Sequence, residues 1–74
     1  MIKEFDMKEV RCREWPAGYK DGTAVFHQVD CVHRRPAHVV AVPKRFVSAG
    51  EVPIMYDDES GCYITVPADD LSRR

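Results

Sequence analysis

The sequence predicts a single small α+β domain, mainly β, over residues 1–74: a four-stranded antiparallel sheet, or a partly open barrel, with one short helix. Three observations lead there. Segments rich in β-branched and aromatic residues recur at strand length. Turn-forming residues separate them at Pro16-Ala-Gly-Tyr-Lys-Asp-Gly22, Arg34-Arg35-Pro36-Ala37, Ser48-Ala-Gly50 and Asp57-Asp-Glu-Ser-Gly61. An apolar fraction of 45% with 31% charged residues is that of a folded domain and excludes a disordered tail.

The first strand is expected over residues 8–15. Alternation puts Val10 and Cys12 on one face, and Glu9, Arg11, Arg13 and Trp15 on the other. The second, over 23–33, follows Asp21-Gly22, a pair suited to a backbone that must take positive φ. Neither of its faces is cleanly apolar, which predicts a bend or bulge near Gln28, or a face offered to a partner. A near-continuous apolar run at 38–42 reads as a central strand covered on both sides. Residues 43–49 are the helix candidate, with Pro43 at the start, Gly50 at the stop, and Phe46 and Val47 as the packing face.

The last hairpin pairs 54–56 with 62–66. An even-length loop places Met55, Asp57, Cys62, Ile64 and Val66 on one face, and Ile54, Tyr56, Tyr63 and Thr65 on the other, so that the two tyrosines meet. Pro67 ends the strand because it has no ladder N–H. Residues 68–71 suit a helical turn with Asp69 and Asp70 near its start.

A domain of 74 residues buries only roughly 60–65% of the surface its unfolded chain exposes, so its stability is small unless a disulfide, a metal or a second copy adds to it. Cys12, Cys31 and Cys62 are odd in number and widely spaced, and the N-terminus shows no export signal. These features predict a cytoplasmic protein whose reduced thiols act as small buried hydrophobes. No apolar run approaches the roughly 20 residues a bilayer span requires, so no membrane partner is expected. One short helix covers little of a sheet, which makes a homodimer through a face or edge attractive.

Net charge is −1, but it is unevenly spread. Residues 31–50 hold four basic side chains and no acidic ones, whereas 51–70 hold six acidic and no basic ones. Adjacent strands could neutralise each other, or the asymmetry could steer a charged partner. Asp57, Asp58 and Glu59 lack the regular spacing of a calcium loop and read as an acidic tip.

His27, Cys31 and His33 share one face of the second strand and carry zinc-type donors, but no Cys-x-x-Cys accompanies them. A cysteine–histidine catalytic pair would also need an oxyanion site and a cleft. No catalytic residue, metal site or cofactor is therefore expected.

The first functional expectation is a non-enzymatic protein that regulates or inhibits a protein partner by surface contact, in the style of small phage and mobile-element proteins. Trp15, Tyr56 and Tyr63 are its expected anchors, and Asp57, Asp58 and Glu59 its steering charges. The alternative is a nucleic-acid-binding module using Arg11, Arg13, Arg34, Arg35, Lys44 and Arg45. A small domain stabilised by metal at His27, Cys31 and His33 is the third.

Overall fold

The computed structural model describes residues 11–59 and 61–74. Nine short strands follow in chain order: β1 (Arg11–Cys12), β2 (Glu14–Trp15), β3 (Tyr19–Lys20), β4 (Ala24–Gln28), β5 (Arg34–Val39), β6 (Val42–Pro43), β7 (Glu51–Tyr56), β8 (Ile64–Pro67) and β9 (Leu71–Arg73). Single 3-10 turns at Pro16–Gly18, Lys44–Phe46 and Ala68–Asp70 complete the regular structure among the described residues. The main sheet runs β8-β7-β5-β4-β9, all antiparallel, and curls into a half-barrel. Two small ladders, β1 with β6 and β2 with β3, flank it. The mainly β, antiparallel reading holds; the sheet has five strands, not four.

β4 is shorter than expected because Asp30 turns the chain. Its Oδ1 accepts the N–H groups of Val32 (2.9 Å) and His33 (2.8 Å), and Val29 N donates to His33 O (3.0 Å). An aspartate that satisfies its own following backbone in this way competes with the ladder. Residues 29–33 therefore form the hairpin loop, and the irregularity expected near Gln28 is the end of the strand.

Proline explains two further differences. Pro36 lies inside β5 and Pro53 inside β7, both interior strands. In an antiparallel strand one residue's N–H and C=O point to the same neighbour. The Pro36 carbonyl accepts from Asp57 N, just past the end of β7, and the Pro53 carbonyl accepts from Val40 N, just past the end of β5. Each missing N–H thus faces a place where the neighbouring ladder has stopped, and costs no bond.

No helix forms over 43–49. Val42 and Pro43 stay extended against β1, and only one 3-10 turn follows. A segment this short has too few hydrogen bonds to offset nucleation unless packing supports it, and Phe46 is 52% exposed. The expected turn after Pro67 does form, at Ala68–Asp70, with both aspartates in it.

The hairpin faces also change. Ile54 pairs with Ile64 and Val52 with Val66, so the intervening loop, residues 55–63, is odd in length. Ile54, Val52 and Tyr56 therefore share the inner face with Val66, and Tyr63 does not meet Tyr56. Val25, Val39, Val52 and Ile54 are fully buried, each stabilising the fold by about 1.5–3 kcal/mol relative to exposure. Trp15 and Tyr19 belong to the same core, and Trp15 Nε1 donates to Val40 O (3.1 Å) and Tyr19 Oη to Leu71 O (3.2 Å). No described helix is long and apolar enough to cross a membrane.

Candidate functional site

Two of the three expected aromatic anchors are structural. Trp15 is 6% exposed and Tyr56 9%, both within the core. Trp15 shares the parity of Arg11 and Arg13, but the first strand breaks at Arg13 into β1 and β2, and the break turns the indole inward. Residues 8–10 of that expected strand lie outside the described residues. Tyr63, at 39%, is the one of the three expected anchors that is exposed.

Tyr56 is held from several directions. Its hydroxyl shares a 2.7 Å hydrogen bond with His27 Nδ1 across the inner face. The Arg35 guanidinium sits 3.7 Å from the Tyr56 ring centroid and donates to Asp58 Oδ1 at 2.8 Å. That bond to Asp58 raises the Arg35 pKa further above its ordinary value.

Asp57 is held likewise: His38 Nδ1 donates to one carboxylate oxygen at 3.0 Å and Arg74 to the other at 2.8 Å. The His38 bond, then the Arg74 bond, lower the Asp57 pKa below the usual carboxylate value. Asp57 and Asp58, two of the three acids of the expected tip, are thus paired with side chains of β5 and with Arg74, because β5 and β7 are neighbours. Glu59 is exposed and makes no ion pair among the described residues.

The six basic residues do not form one footprint. Arg34 lies over the Phe26 ring at 5.2 Å on the outer face of the main sheet, with Arg74 at 5.7 Å from the same ring. Arg35 is committed to Tyr56 and Asp58. Lys44 borders a hollow of about 510 Å³ with Trp15, Val47 and Glu51. Arg45 stacks on Phe46 at 4.8 Å.

Arg11 and Arg13 line an open groove of about 710 Å³. Its floor is apolar, from Val40, Ala41, Val42 and Met55, and Phe46 and Tyr63 stand at it as exposed rings. Among the described residues Asp21 is its single acidic lining residue. Neither arginine has an ion pair among the described residues, although both are exposed. The sequence pattern put Phe46 on the packing face of a helix and Met55 on a hairpin face with Asp57, and no local signal marks either as a groove residue.

His27, Cys31 and His33 do not converge. His27 binds Tyr56, His33 Nδ1 lies 3.0 Å from Asp30, and Cys31 is exposed in the loop between β4 and β5. Among the described residues no group of three or more histidine, cysteine, aspartate or glutamate side chains could hold a metal ion. Cys12 is half-buried and its Sγ–H donates to Glu14 O at 3.0 Å, but Cys31 and Cys62 are exposed free thiols and not buried hydrophobes. No family model, no curated protein and no solved structure matches this chain.

Proposed function

We propose that this chain is a small non-catalytic binding domain that regulates or inhibits a partner protein by surface contact. The observation that carries the reading is where its polar and apolar groups are satisfied. Every buried side-chain nitrogen and oxygen among the described residues has a hydrogen-bond partner. Unsatisfied chemistry sits on the outside, where Phe46, Tyr63, Val29, Val32 and Ile64 are large apolar side chains left exposed. Catalytic sites store perturbed, buried titratable groups in clefts, whereas binding surfaces present aromatics and arginine at an accessible patch.

A nucleic-acid module is the second reading, favoured by Arg11 and Arg13 beside the Phe46 and Tyr63 rings. The two readings separate in a tagged pull-down from source-cell lysate, run with and without nuclease, at low and high salt. The binding-domain reading expects one stoichiometric protein that survives nuclease and high salt. Recovery of nucleic acid, or of proteins that vanish with nuclease, would reverse the order, since phosphate contacts weaken steeply with salt.

A further inference from the structure

We propose that the Arg11–Arg13 groove takes an acidic peptide segment of a partner protein, with a carboxylate on the arginines and an apolar side chain against Phe46 and Tyr63. This rests on the binding-domain reading above. The arginines supply planar forks that match carboxylates in two-bond geometry, and they have no carboxylate of their own among the described residues.

Apart from Asp21, most of the other described lining residues are apolar, and the volume of about 710 Å³ has room for a few side chains. A polyphosphate strand suits it less. Two arginines neutralise about two phosphates, Asp21 opposes a third, and Met55 offers an aliphatic floor where a base would need a ring. A peptide that alternates acids with apolar residues meets both chemistries at once.

The test uses the full chain and fluorescence anisotropy with a labelled peptide made of two copies of Glu-Asp-Phe-Glu-Asp-Leu. Its controls are the isosteric Gln-Asn-Phe-Gln-Asn-Leu peptide and a labelled oligo-dT of similar length. The acidic peptide is expected to bind at least tenfold more tightly than either. Arg11→Glu with Arg13→Glu should lose at least tenfold while leaving the melting temperature unchanged, and Phe46→Ala should weaken binding with no change in fold. Equal binding of acidic and amide peptides, preference for oligo-dT, or indifference to all three substitutions would overturn the proposal. So would self-association of the chain that the double charge reversal abolishes, which would give the groove to a second copy. A pull-down partner retained by the double variant would remove the groove but keep the binding-domain reading; absence of any protein partner would remove both.

Discussion

Tyr56 and Tyr63 flank the same turn, yet one is 9% exposed and the other 39%. Around Tyr56 the charged and polar side chains are held by one another: His27 on the hydroxyl, Arg35 on the ring, Asp58 on Arg35, and His38 and Arg74 on Asp57. Around Tyr63 the same residue types stand in another relation. Arg11 and Arg13 have no ion pair among the described residues, and Phe46 leaves half its surface to solvent. The contrast teaches that residue type does not separate structural aromatics and arginines from functional ones. Satisfaction does. The Tyr56 end spends its chemistry on the fold, and the groove leaves its arginines and rings open, which is what the proposed reading draws on.

The largest expected effect breaks the Tyr56 side. Tyr56→Ala removes a buried ring, its bond to His27 and the surface beneath Arg35, a loss of about 3–5 kcal/mol. A domain of this length has roughly 4–11 kcal/mol in total, so urea denaturation should find the variant stripped of a large share of its stability. Tyr56→Phe sharpens the contrast by keeping the ring. It should cost about 0.5–1.5 kcal/mol, the net worth of one hydrogen bond, in the same denaturation series. A loss as large as that of Tyr56→Ala would shift the credit from packing to the hydroxyl.

Acid should act on the Tyr56 end as well. The native Asp57 carboxylate has a lowered pKa, so its contribution is complete above the unfolded value near 3.8 and is lost as the pH falls through the lower native value. Asp30 behaves in the same sense, lowered first by the Val32 N–H and then by the His33 ring. Melting temperature should therefore fall with acidification between about pH 5 and pH 2. Arg74→Ala removes one of the two donors to Asp57 and should flatten that fall. An unchanged acid profile in Arg74→Ala would leave His38 as the effective partner. The smallest expected effect on stability is on the groove side, where Tyr63→Ala should stay within about 0.5 kcal/mol of the parent.

Much of the fold was legible where the sequence speaks locally. Asp21-Gly22 leads into β4 with Gly22 at φ 90°, and Pro67 ends β8 before a helical turn. What stayed hidden depends on neighbours. Pro36 read as punctuation, but its missing N–H, like that of Pro53, falls where the adjacent strand has ended. The hairpin register turned on one residue of loop length, and that single step moved Tyr56 from an expected surface to the core. Arg73 and Arg74 carry no local pattern that assigns them a partner. They pack on the Tyr19 and Phe26 rings because β9 lies beside β4. The groove was half legible: Arg11, Arg13 and Tyr63 were candidates, but under two different functions. Only the fold puts them in one place.

The most direct test of the division between the two ends is the pull-down repeated with Tyr63→Ala beside the parent chain, with the melting temperature of each recorded. The partner should be lost from Tyr63→Ala while its melting temperature matches the parent. Undiminished recovery of the partner, or a melting temperature lowered as far as that of Tyr56→Ala, would contradict the assignment of Tyr63 to the surface that binds.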